Sequence, residues 1–501
     1  MELDIQFNKT AIPGLRTILQ QTQTAEQTQE VRIPEEMPDI GRVVCCWGQP
    51  VIRGKEWHGD RIGVNGGVLC WVLYVPEEGG TPQSVAAWLP FQLKWEIPPT
   101  RHDGTMIVQP FLRSADARSL SARKLMVRVG VSVAMRAMAA EDVDIYTPGA
   151  LPEDLRILKK TYPVCIAQES GEKGFQLEDT FTVPGTHPEP EQLIRYELRP
   201  ELTDWKLMGD KVVFRGSGLL HLLYRSSDGQ LHGWDQELSF SQYTELDKEY
   251  GDEAVVRILP MVTNLELELD AERKLHIKAG ISGQYTVFGC PVIEVVEDAY
   301  SPKRSVTVQK EPLQIPALLD TQNRILHVEQ SIECEVSQIL DLAFCPDVPM
   351  QMLSEAGVHT QLPGVFQLLY RDAGGNLQTI NAYWEETQFT DSATENQTVV
   401  TALSGGVPQA IPDANGVTMS ANLLTDIDTF SGRGIPMVTE LTLGEATQPD
   451  PDRPSIILRR AGRDTLWDIA KATGSTVEEI MAANGCTDIP SPDTIILIPV
   501  K

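Results

Sequence analysis

A two-residue period of apolar side chains runs through most of the chain. Val127, Val129 and Val131 alternate with Met126, Arg128 and Gly130, which predicts a strand with the valines on one face. Leu265, Leu267 and Leu269 alternate with Glu266 and Glu268, a half-buried strand by the same rule. Apolar residues run together at 68–75, 219–224 and 365–370. Each run leads into a Gly-bearing turn: Glu77-Glu78-Gly79-Gly80, Ser226-Ser227-Asp228-Gly229 and Asp372-Ala373-Gly374-Gly375. Such runs predict buried strands entering hairpins. Helical spacing is scarce before residue 450, and the best candidates are 20–29, which is polar, and 152–159. The pattern changes in residues 454–501, where Leu466, Ile469 and Ala470 share one helical face. Asp464 or Thr465 is placed to cap that helix, and Thr476, with Glu479 three residues on, to cap a second. Apolar runs at 456–458 and 495–498 flank the pair, so this end reads as strand, helix, helix, strand.

The strand-rich part is self-similar. The segment Arg123-Lys124-Leu125-Met126-Val127-Arg128-Val129-Gly130 is matched 150 positions later by Arg273-Lys274-Leu275-His276-Ile277-Lys278-Ala279-Gly280. At the same offset Ile33-Pro34 with Pro38 becomes Val183-Pro184 with Pro188, and Trp71-Val72-Leu73-Tyr74 becomes His221-Leu222-Leu223-Tyr224. Separated anchors sharing one offset indicate a duplication. A third copy shows where the strand 218–225 returns 146 positions later as 364–371. A further pairing, Pro260-Met261-Val262-Thr263 with Pro436-Met437-Val438-Thr439, has an offset of 176 and predicts an insertion of about 30 residues in copy three. Glu141-Asp142 with Tyr146-Thr147-Pro148 parallels Glu297-Asp298 with Tyr300-Ser301-Pro302, as junctions between copies should. The expected fold is mainly β: three repeated antiparallel β-sandwich or barrel-like domains at 1–150, 151–302 and 303–446. A Pro- and acid-rich linker at 447–453, extended and mobile, then leads to a small α+β domain at 454–501.

The chain has 501 residues, with 42 Lys plus Arg against 70 Asp plus Glu. The net charge of −28 repels phosphate backbones and anionic lipid, so nucleic acid is not an expected partner. No stretch is long and apolar enough to span a bilayer, and the amino terminus lacks the pattern of a secretory signal. The eight cysteines are scattered without a Cys-x-x-Cys, which reads as reduced thiols in a cytosolic protein. The eight histidines include no pair at metal-ligand spacing, and no nucleophile elbow or phosphate-binding loop is present. No catalytic residue, metal or cofactor is therefore assigned. His221 and His276 stand where the sister copy has Trp71 and Met126, which favours half-buried structural histidines. Glu141-Asp142 recurs as Glu297-Asp298 at the equivalent junction, which favours a structural role over a hydrolytic pair.

The C-terminal segment resembles a LysM domain through Asp464-Thr465-Leu466-Trp467, Ile469-Ala470, Asn484 and Ile498-Pro499. It departs from that family where Arg463 separates Gly462 from Asp464 and where Asp493 replaces a glycine. The resemblance implies a partner- or glycan-binding groove at Gly462, Arg463, Asp464, Thr465, Leu466, Trp467, Asn484 and Ile489. The copies resemble the SPOCS domain of spore-forming Firmicutes through Ile33-Pro34 with Pro38-Asp39-Ile40, the strand tyrosines before each turn, Leu89-Pro90-Phe91 and the Glu-Asp junctions. Three such copies followed by LysM is similar to the layout of the SipL-like family of spore coat morphogenetic proteins. That resemblance implies a non-enzymatic scaffold in the mother-cell cytoplasm at the forespore surface. Its LysM domain would engage the coat-basement ATPase, stage IV sporulation protein A, and its repeats other coat proteins. The alternative is a protein that binds peptidoglycan or another N-acetylglucosamine glycan through LysM.

Overall fold

A computed structural model of the chain describes residues 3–98, 104–391, 396–413, 415–432, 434–446, 454–460, 464–485 and 494–500. Up to residue 446 its regular elements are strands, all paired antiparallel. One pairing order occurs three times along the chain. In the first block Phe7–Ile12 pairs with Val143–Pro148, closing the block's two ends. Leu15–Arg32, Lys124–Ala140 and Thr105–Ser121 form one three-stranded sheet, and Ile40–His58, Arg61–Pro76 and Gln83–Glu96 another. The second block repeats this with Arg156–Pro163 on Val292–Tyr300, then sheets centred on Leu275–Gly289 and Lys211–Ser226. The third repeats it with Arg304–Leu313 on Ile435–Ala446 and sheets centred on Gly416–Phe430 and Gly357–Arg371. Leu3–Ile5, at the opposite end of the sequence, adds to the third block's closing strand with Leu3 opposite Leu443.

The alternation seen in the sequence decides which face each strand buries. Val127, Val129 and Val131 are fully buried, and they share one core with Val64, Val68 and Val72 from the block's other sheet. Leu265 and Leu267 are buried while Glu266 and Glu268 are exposed. The continuous apolar runs have a second cause: their sheets are buried on both faces. Trp47, Trp71 and Leu73 of the first block meet Ile194 and Leu223 of the second and Ala343 and Leu369 of the third in one cluster. The contacts close into a ring, since Gln83–Glu96 touches Pro190–Met208, Leu231–Glu245 touches Gln338–Pro346, and Leu377–Thr390 touches Ile40–His58. Gly79, Gly229 and Gly375 have φ of 78°, 80° and 79° in the matching hairpin turns, a region open to glycine because it has no Cβ.

Several expectations fail here for identifiable reasons. The segment 20–29 is not helical but lies inside the strand Leu15–Arg32, paired with Lys124–Ala140. Its Thr22, Thr24 and Thr28 suit a pleat better than a helix, and the partner strand overrides the helix-forming glutamines. The segment 152–159 is a turn running into the strand Arg156–Pro163, recruited by Val292–Tyr300. The 30-residue insertion does not exist, because Pro260 lies on Val255–Leu269 whereas Pro436 lies on the closing strand Ile435–Ala446. A short proline-led apolar alternation recurs on unrelated strands because every half-buried strand needs one. Cys165 and Cys290 are joined in a disulfide across paired strand ends, so the expectation of uniformly reduced thiols is corrected. The spacing of 125 residues hides the pair from any local pattern. The linker 447–453 lies outside the described residues.

Candidate functional site

The C-terminal module is built from Ile456–Arg460 and Ile495–Pro499, paired antiparallel, with α1 (Leu466–Thr473) and α2 (Val477–Asn484) between them in sequence. Thr465 caps α1: its hydroxyl accepts from Asp468 N at 3.1 Å, and Asp468 Oδ2 accepts from Thr465 N at 3.1 Å. The Thr465 hydroxyl also lies 2.7 Å from Asp468 Oδ2, and its hydrogen bond, with that from Thr465 N, holds the Asp468 carboxyl below its ordinary value. Gly474, at φ 64°, ends the helix as only a residue tolerant of the left-handed region does cheaply. Thr476 accepts from Glu479 N at 3.2 Å and caps α2. Leu466, Ile469, Ala470, Ile480, Ile496 and Ile498 form a small core, and Tyr300 from the second block packs into it.

The anchorage is polar as well as apolar. Trp467 lies edge-on to Tyr300 with centroids 4.8 Å apart, and its indole Nε1 donates to Asp298 Oδ2 at 2.9 Å. Lys471, one helical turn on, donates to the same carboxylate at 2.7 Å, and Lys310 lies 3.0 Å from it. Tyr300 Oη donates to Ser475 O at 3.0 Å. Burial pushes the Asp298 carboxyl up, but the hydrogen bonds from Lys471, Trp467 and Lys310 outweigh it and hold it at about 2. Burial raises the Tyr300 phenol to about 12, so it stays a donor at neutral pH.

The eight residues singled out from the sequence fall into three groups. Gly462, Arg463 and Ile489 lie outside the described residues. Asp464 forms an ion pair with Arg459, Thr465 caps, and Leu466 is buried. Asn484 locks the module's second strand, donating to Ile480 O and Leu497 O at 2.7 and 2.6 Å and accepting from Leu497 N at 2.8 Å. Trp467 faces the β body. The module therefore sits docked, where the sequence suggested a freely moving tip. Asp298 and Tyr300 were absent from the predicted groove, although their recurrence at the junction between copies was a signal.

A second polar cluster lies on the ring axis. Arg195 Nε donates to Asp341 Oδ2 at 2.7 Å, and its Nη1 donates to Glu197 Oε2 at 3.0 Å. His221 bridges Asp341 at 2.7 Å and Asp235 at 2.8 Å. His221 is thus a fully buried network member, not a half-buried bystander. Burial disfavours its charged form, but Asp341 and Asp235 outweigh that and raise its pKa. The signal was available: Arg195 and Asp341 occupy one repeat position, 146 residues apart. No group of three or more His, Cys, Asp or Glu side chains suited to a metal occurs among the described residues, and no described helix is long and apolar enough to cross a membrane. No curated protein and no solved structure matches the chain. Residues 463–499 match the LysM domain family, so the docked module is a LysM domain.

Proposed function

We propose that the protein is a non-enzymatic scaffold of spore coat assembly, in which three SPOCS-type repeats at 1–150, 151–302 and 303–446 bind coat proteins. The LysM domain docks on the coat-basement ATPase, stage IV sporulation protein A, in the mother-cell cytoplasm at the forespore surface. The observation that carries this reading is the Asp298 clasp, which fixes LysM on the β body and so presents a partner at a set position. The polar atoms of Trp467 and Asn484 are already committed within the chain, which suits a protein contact better than a sugar groove at those residues. Deletion of residues 454–501 should abolish capture of purified coat ATPase, and unaltered capture would overturn the reading. Deletion also uncovers Tyr300, so Asp298→Ala in the full chain is the companion variant. It should retain capture but lose the fixed orientation seen by small-angle scattering.

The match to LysM itself favours a second reading, because LysM domains bind N-acetylglucosamine-containing glycans. Titration of the full chain with N-acetylglucosamine oligomers decides it. Heat or chemical-shift change at about 1 mM sugar supports a glycan partner, and silence there excludes a useful affinity.

A further inference from the structure

Where the three blocks meet, beside the charged cluster, they line an open pocket of about 150 Å³. The pocket is lined by one equivalent residue from each block: Gln49, Arg199 and Cys345, each followed by a proline. Gln49 is fully engaged, donating to Leu198 O at 2.7 Å and accepting from Leu198 N at 3.0 Å. Cys345 has its thiol pushed up to about 12 by burial and stays neutral. Arg199 differs from both. It is 7 % exposed, yet its Nε and Nη1 have no hydrogen-bond partner. The nearest carboxylate oxygen, Glu197 Oε1, is 3.7 Å from Nε, too long for a hydrogen bond, and Glu197 is hydrogen-bonded to Arg195 instead.

A buried guanidinium with idle donors is costly to keep, and an acceptor oxygen in the cavity relieves that cost. The prolines that follow each lining residue remove backbone donors, so Arg199 has few competitors for such an acceptor. Much of the remaining wall is apolar, with Phe111, Met261 and Phe344; its polar members are Glu197, Gln109, which donates to Ala402 O, and Ser404, whose hydroxyl has no partner. A cavity of this size accommodates a group of roughly benzene dimensions. We propose that this pocket is a binding site for a small monocarboxylate with an apolar tail, held by Arg199. The other charged residue lining this site is Glu197, which accepts a hydrogen bond from Arg195 and lies 3.7 Å from Arg199, so the idle Nε and Nη1 of Arg199 are the donors left for a ligand carboxylate.

The test uses the full chain and calorimetric titration with benzoate and with a short peptide ending in a free C-terminal phenylalanine. These probes separate a free acid from a chain end as the source of the group. Benzamide and the amidated peptide are the neutral controls. Binding of either carboxylate with a Kd of about 1 mM or tighter, lost by at least tenfold in its amide, supports the site. Arg199→Gln, which installs the residue found at position 49, should weaken that binding by the same factor, and Arg199→Lys less. The proposal is overturned if neither carboxylate binds, if the amides bind equally, or if folded Arg199→Gln binds as tightly as the unaltered chain. Should Arg199→Gln fail to fold, the contrast between carboxylate and amide still decides.

Discussion

Replacing Asp341 with Asn tests the claim that opposite charges at one repeat position fix how the blocks meet. The Asp341 side chain is 0 % exposed and accepts from Arg195 of the second block and from His221, each at 2.7 Å. The amide is nearly isosteric, so packing is kept while the charge is lost. Arg195, 2 % exposed, is then left with Glu197 alone. Breaking one partner of a buried pair costs about 3–5 kcal/mol, and the surviving Glu197 contact places the expectation near the lower end. Against a typical stability of about 5–15 kcal/mol this is a large fraction. Urea unfolding followed by near-ultraviolet circular dichroism reads it as a lower midpoint at unchanged m. Adding Arg195→Met and Glu197→Gln to Asp341→Leu should recover much of the loss, because the cost lies in the stranded charge rather than in the missing attraction. A loss below about 1 kcal/mol in Asp341→Asn, or a combined variant as damaged as the single, refutes the reasoning.

Other outcomes follow from the same geometry. The raised pKa of His221 means that its contribution is fully present below about pH 6.5 and is lost as pH rises through the higher folded value, so His221→Gln should flatten the alkaline fall in stability. Asp341 acts oppositely: burial raises its carboxyl, Arg195 and His221 outweigh that and depress it, and its contribution is lost only as pH falls below the ordinary carboxylate range. Asn484→Ala strands the backbone groups of Leu497 and should loosen the LysM strands by about 1–3 kcal/mol, read as faster amide exchange at Ile495–Pro499 with the β body unchanged. Asp298→Ala should raise acrylamide quenching of Trp467, measured against Trp467→Phe, because the indole loses its acceptor.

The strands, their buried faces and the two terminal helices were legible because each is a local property. Val127, Val129 and Val131 announce a pleated face, and Thr465 and Thr476 announce helix starts. The failures were equally physical. The segment 20–29 carries good helix formers, and only its pairing with Lys124–Ala140 makes it a strand. The match of Pro260 to Pro436 was a shared strand pattern and not a shared place in the fold. In the module, Asn484 and Trp467 were singled out from the sequence, yet their partners Leu497 and Asp298 are 13 and 169 positions away.

By itself, the sequence determined that this protein is built of strands, that its β part repeats, and that it ends in a strand, helix, helix, strand module. The strands and helices follow from periodicity and capping within a few residues, and the repeat from matched segments at a common offset. Tertiary structure alone decided that the blocks close into a ring, that Arg195, Asp341 and His221 meet on its axis, and that Asp298 and Tyr300 hold the LysM domain. Burial is what gives those residues their consequence. An arginine, an aspartate or a tryptophan is ordinary in solvent, and only the packing of distant segments sets its charge and partners at high value.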